Sequence, residues 1–125
     1  MSMKAMNAYK PGESDTRPWG TWTVLEVGDG YAIKEIVVNP GEVLSLQSHE
    51  HRAEHWIVVQ GLAEVTVADS VFRCGVNETA FIPTQAKHRI ANVGEEPMRF
   101  IEVQTGSVLV EDDIQRYDDL YGRTS

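Results

Sequence analysis

Cysteine is nearly absent from this 125-residue chain. Cys74 is the only one, so no internal disulfide can form, and a buried thiol on a strand in a reducing compartment is expected. Long hydrophobic runs are missing too: none approaches the roughly 20 residues that cross a bilayer. Met1 to Lys10 lacks the apolar stretch of a signal peptide, so the reading is a cytoplasmic protein with no membrane partner. Positive charge is scarce. Against 19 Asp and Glu stand 11 Lys and Arg, a formal net charge of −8, which disfavours nucleic acid as a partner. Part of that acidity gathers at Glu111, Asp112, Asp113, Asp118 and Asp119. Before this tail no amphipathic helix of about 10–15 residues can be written.

What is present is a series of short β-rich runs between turn formers. Trp22 to Val27 and Tyr31 to Val38 flank Gly28-Asp29-Gly30, and Asn39-Pro40-Gly41 closes the second run. Further strands are expected at Val43–Leu46, His55–Val59, Ala63–Val67, Val71–Cys74, Thr79–Ile82, His88–Ala91 and Met98–Gln104. Many short strands with turns between them make an all-β sandwich or barrel. Residues 1–15 read as a flexible arm, 16–110 as the barrel, and 111–125 as an acidic tail packing on or near it. Over Glu111–Leu120 that tail fits a short helix or a folded-back coil.

Polar residues inside the β pattern point to chemistry. Gln47 and His49 are two apart and share a side of an extended strand; Glu54 follows five residues on, and His88 opens a later strand. A barrel that brings these strands together would converge an amide oxygen, two imidazoles and a carboxylate. Such a set suits one divalent ion, Zn, Mn, Co, Fe or Ni, without selecting among them. Taken singly each has an ordinary explanation; Glu54, for instance, fits an ion pair with Arg52. Burying the set together without a compensating cation would be costly. His51 lies where the strand turns, and His55 is expected on the face opposite Glu54, outside the ligand set.

Gly41 to Gly61, with Gln47, His49 and Glu54 at their intervals, resembles the first cupin motif with Gln47 in place of its first histidine. Asn77 to Asn92 resembles the second, keeping Pro83, His88 and Asn92, while Asn77 and Gln85 stand where glycines are usual. The resemblance narrows to the C-terminal cupin domain of type II mannose-6-phosphate isomerases. It rests on RPWG at Arg17–Gly20, LSLQ at Leu44–Gln47, HRAEHWIVV at His51–Val59, HRIAN at His88–Asn92, IEVQTG at Ile101–Gly106 and VEDDIQRYDDLYGR at Val110–Arg123. It covers residues 16–123. Glu50 and Val110 depart from it, standing where relatives carry histidine and glycine.

The resemblance implies a cupin (jelly-roll) barrel with Gln47, His49, Glu54 and His88 as metal ligands. It also implies isomerisation of a sugar phosphate, mannose 6-phosphate to fructose 6-phosphate. Lys34 is then the candidate acid or base, with Arg17 and Arg52 as phosphate- or enediolate-binding groups. Arg89 and Arg116 are weaker candidates, Arg116 and Arg123 fit ion pairs within the tail, and Trp19 and Trp56 are candidates for lining the cavity. The chain lacks the length and glycine-rich motif of the guanylyltransferase domain to which such cupins are often fused, so nucleotidyl transfer is not implied. Two other readings stay open: another metal-dependent cupin enzyme (epimerase, lyase or oxygenase), and a non-catalytic cupin that binds a sugar phosphate. A homodimer covering exposed strand edges is expected.

Overall fold

The computed structural model describes residues 6–118, and thirteen strands occur among them. They are β1 (Met6–Asn7), β2 (Ser14–Arg17), β3 (Gly20–Gly28), β4 (Tyr31–Val38), β5 (Leu46–Ser48), β6 (Arg52–Gln60) and β7 (Ala63–Val67). They continue as β8 (Ser70–Cys74), β9 (Thr79–Ile82), β10 (His88–Asn92), β11 (Met98–Gly106), β12 (Val108–Leu109) and β13 (Gln115–Asp118). One antiparallel sheet runs β2-β3-β4-β11-β6-β9, and the second runs β13-β5-β10-β7-β8. The two faces enclose one core, the two-sheet arrangement of a cupin. Its all-β character follows from alternation: β4 and β11 bury every second residue along most of their length.

Along that inward row, chemistry changes from one end to the other. Met98 pairs with Val38, and Phe100 with Ile36 and Val58, all closely packed. Full burial of one such Met or Phe contributes about 1.5–3 kcal/mol. Two residues on, Glu102 pairs with Lys34 and Trp56, and Gln104 with Ala32 and Glu54. The apolar end anchors register, and the polar end carries the site. Cys74 is a buried free thiol at the end of β8.

Backbone conformation is constrained at both ends of β6. At Gly106, beside Arg52 in the ladder, an added Cβ would collide with the His51 carbonyl. Gly61 turns from β6 toward β7 at φ 84°. Asn77 and Gln85, which replace the usual glycines of the second motif, both adopt left-handed conformations, φ 74° and 71°. The backbone therefore keeps the geometry that favours glycine although the residues have changed.

Three expectations meet a different arrangement. Within the stretch read as an arm, β1 pairs with β12, β2 pairs with β3, and Tyr9 is buried against Trp22; residues 1–5 lie outside the described residues. Val43–Leu46 is not a strand. Val43 makes a single bridge to Ala91 and the Leu44 N–H bonds to the Ile90 carbonyl before β5 begins at Leu46. In the tail, Glu111–Asp112 is a turn, Asp113–Ile114 has no regular structure and Gln115–Asp118 pairs with β5, so the described part folds back on the barrel and ends in a strand, with no helix. The edge of β5 supplies the hydrogen bonds of Gln115–Asp118, which decides for a strand there. Residues 119–125, Arg123 among them, lie outside the described residues.

Candidate metal centre

Both sheets contribute to one site. His49 lies one residue beyond the end of β5, Glu54 is on β6 in the facing sheet, and His88 opens β10, in register with Gln47. His49, Glu54 and His88 are all buried, and each offers a ligand atom within 4.8 Å of the others. The imidazole centroids stand 5.0 Å apart.

Hydrogen bonding fixes which nitrogen faces inward. His49 Nδ1 donates to the Asp113 carbonyl at 2.6 Å, and His88 Nδ1 donates to the Ala86 carbonyl at 2.9 Å. A carbonyl only accepts, so Nδ1 carries the proton in both rings and Nε2 presents a lone pair. Burial is the largest influence on either ring and disfavours its charged form; His49 is brought down to about 4 and His88 is lowered. Both are neutral at pH 7. For Glu54 burial is the largest influence and acts to raise the pKa, but the surrounding groups, Arg52 foremost, together outweigh it and hold the carboxyl well below its ordinary value. The 3.3 Å approach of His49 Nε2 to Glu54 Oε2 is therefore not an ion pair at neutral pH. Two acceptors face each other, an arrangement that calls for a cation or donor between them. His49, Glu54 and His88 thus form a site that one divalent ion fits.

A donor is present: Arg52. Its Nε gives a 2.9 Å bond to Glu54 Oε2, Nη1 reaches the Val110 carbonyl at 3.2 Å, and Nη2 lies 3.4 Å from His49 Nε2. The alternative reading of Glu54, an ion pair with Arg52, holds alongside the metal reading, because each oxygen of the carboxylate has two lone pairs. Trp56 Nε1 donates to its other oxygen at 2.9 Å. Gln47 lines the same cavity and commits its amide nitrogen to Ser45 Oγ at 3.0 Å, so oxygen is the atom it has to offer an ion.

The cavity beside these groups is walled by Arg17, Lys34, Gln47, Arg52, Glu54, His88 and Glu102 among others. Lys34 Nζ lies over the Tyr9 and Trp22 rings, 4.1 and 4.3 Å from their centroids, and 3.3 Å from Glu111. Arg17 reaches Asp15 at 3.2 Å and Glu111 at 3.9 Å. Trp19, Trp56, Arg89 and Arg116 also line the cavity. His51 and His55 are exposed, and His55 stacks on Phe81 at 4.6 Å, away from the ligands.

Sequence reasoning missed Glu102 and Tyr9. Glu102 is buried between Trp56 and Gln104, which donate to it at 3.2 and 2.7 Å. Burial, then the neighbouring Glu54 charge, pushes its carboxyl up to about 8, so it holds its proton at neutral pH. The signal was available: period two places Glu102 and Gln104 on the face of Met98 and Phe100. Tyr9 was unreadable within a stretch taken as an arm, yet its hydroxyl donates to Glu111 at 2.6 Å.

Comparison with known proteins agrees with this geometry. The family model described as "Mannose-6-phosphate isomerase C-terminal" matches residues 5–119. "Alginate biosynthesis protein AlgA" of Pseudomonas putida is 52% identical over 109 residues, 87% of this chain and 22% of the relative. "Mannose-1-phosphate guanylyltransferase" of Escherichia coli is 50% identical over 107 residues, 86% of this chain and 22% of the relative. The chain thus spans little more than a fifth of the length of these curated relatives. Among solved structures, the Schizosaccharomyces pombe Cnp3 cupin domain superposes with a TM-score of 0.67 at 21% identity, covering 69% of this chain and 64% of that one. The last likeness establishes the cupin fold and nothing further.

Proposed function

Since the chain belongs to the mannose-6-phosphate isomerase C-terminal family, we propose that it is a metal-dependent aldose–ketose isomerase of sugar phosphates, interconverting mannose 6-phosphate and fructose 6-phosphate. The observation that carries this reading is the convergence of two unprotonated imidazole nitrogens and an ionised carboxylate beside a cavity that Glu54, His88, Lys34 and Arg17 line.

Gln47, His49, Glu54 and His88 would hold the ion, which when bound supplies Lewis-acid stabilisation of negative charge on a sugar oxygen. Isomerisation moves a proton between C1 and C2, and a group on the wall must carry it. Lys34 is our choice: its Nζ lies at the cavity surface between two aromatic faces and 3.3 Å from Glu111, to which the ammonium passes a proton before it accepts one from the sugar. Arg17, half exposed at the mouth, suits the phosphate, whose charge it meets without full desolvation. Arg52 acts on the reaction through Glu54, which its Nε holds in place.

A cytoplasmic homodimer belongs to this reading. Ile57 and Val59 on β6 and Phe81 on edge strand β9 are exposed on one outer face, which supports pairing with a second copy. Sedimentation of the wild type beside Phe81→Lys tests it, with dissociation expected in the variant.

The test of function is interconversion of the two hexose phosphates by metal-stripped protein, before and after Mn²⁺, Co²⁺, Zn²⁺, Fe²⁺ or Ni²⁺ is restored. Activity that returns with an ion, and does not return in His49→Ala, supports the isomerase. Saturable sugar-phosphate binding with no product under any ion would replace it with a non-catalytic binding protein.

A further inference from the structure

The chain from Val110 to Asp118 crosses the site, and its densest contact is made by one residue. Asp113 bonds three consecutive residues of the β5–β6 loop. Its backbone carbonyl accepts from His49 Nδ1 at 2.6 Å, while its two carboxylate oxygens accept the Glu50 N–H at 2.9 Å and the His51 N–H at 3.0 Å. From the other side the His49 carbonyl accepts the Gln85 N–H at 2.8 Å. The loop is thus gripped on both sides at the residue that faces Glu54.

We propose that Asp113 is the positioning residue of the metal centre, its carboxylate clamping residues 50 and 51 so that its own carbonyl stays fixed opposite His49 Nδ1. Two consequences follow at His49. The Nδ1 proton is held, so the Nε2 lone pair is always the one presented, and the ring plane is set before an ion arrives. Without the clamp the loop N–H groups turn to water, the carbonyl drifts from the ring, and either nitrogen can carry the proton. Coupling runs both ways, so an ion on His49 also holds the tail segment in place. This inference rests on His49 being a ligand.

The experiment titrates Co²⁺ into metal-free full-length protein by calorimetry and records its visible spectrum, for wild type, Asp113→Ala, Asp113→Asn and Tyr117→Phe. Tyr117 anchors the same segment through a 2.8 Å bond between its hydroxyl and that of Ser48, without touching His49. Loss of the clamp is expected to weaken Co²⁺ binding about 10–100-fold and to alter the ligand-field bands. Asp113→Asn, keeping one acceptor oxygen, should recover part of the affinity; if the alanine variant does not fold, asparagine carries the comparison with a smaller loss. Tyr117→Phe should bind Co²⁺ like the wild type. Wild-type affinity and spectrum in both Asp113 variants overturn the proposal, as does an equal loss in Tyr117→Phe, which would mean that only general anchoring of the segment matters. A wild-type protein that binds no Co²⁺ overturns the metal centre itself, a failure visible before any variant is compared.

Discussion

The Lys34 ammonium lies 3.3 Å from the Glu111 carboxylate, joining an interior strand of the larger sheet to the chain segment that returns over the site. Burial acts to raise the Glu111 pKa, but Lys34 and the Tyr9 hydroxyl prevail and leave it below its ordinary value. A carboxyl so depressed adds stability that is complete above the unfolded-state pKa and fades as pH falls through the lower folded value. The Glu111 side chain is 39% exposed, so solvent screening limits the effect to about 1 kcal/mol. Urea unfolding should show Glu111→Gln less stable than wild type by that amount at pH 7, and the gap should close in acid. A gap that persists or widens in acid would contradict the assignment.

Restoring a divalent ion to stripped protein should raise its thermal stability, because the ion binds the folded site and only weakly the unfolded chain. At a free concentration 100 times Kd the gain is about 2.7 kcal/mol, a rise in Tm on the order of 10 °C. Differential scanning calorimetry with and without Mn²⁺ or Co²⁺ measures it. His88→Ala should show little of the rise, since one of three buried donors is gone.

Gln85→Gly should stabilise the protein by about 0.5–1 kcal/mol, because a side chain at φ 71° is relieved of steric strain. The gain is reduced by the greater freedom of glycine in the unfolded chain and by loss of the 3.1 Å bond from the Gln85 amide to Glu50. Chemical denaturation reads the sign directly. A loss of stability would show that the amide bond outweighs the strain.

Gly106→Ala should act in the opposite direction and reach the site. Its Cβ would press on the His51 carbonyl, where backbone rather than a flexible side chain must yield. A cost of about 2–3 kcal/mol is expected, together with weaker Co²⁺ binding, because the displaced residue is two from His49. Unchanged metal affinity in a destabilised variant would mean that the loop absorbs the push without moving the ligand.

Strands with two-fold alternation between firm turn signals were legible: Tyr31–Val38, Ala63–Val67 and Thr79–Ile82 match their observed bounds. So was the convergence of His49, Glu54 and His88, since spacing and strand parity survive folding. What stayed hidden depends on partners far away in sequence. Nothing local in Gln115–Asp118 marks a strand; it becomes one because the edge of β5 has open hydrogen-bonding groups. Tyr9 precedes a polar stretch and is buried only because Trp22 and Glu111 arrive from elsewhere. Glu102 shows the opposite failure. Its parity was readable, but an acid on an inward face contradicts the usual rule, and its tolerance there depends on the proton it keeps and the donors around it.

The inward row of β11, passing from Met98 and Phe100 to Glu102 and Gln104, separates two demands that compete in most small proteins. Stability is banked in the oily half, where the ladder cannot slip without exposing a methionine and a phenylalanine. The other half can then hold charges and ring nitrogens aimed at one another, an assembly too repulsive to fold by itself. Such a barrel can trade one polar inward residue for another and alter what it grips while the strands keep their places.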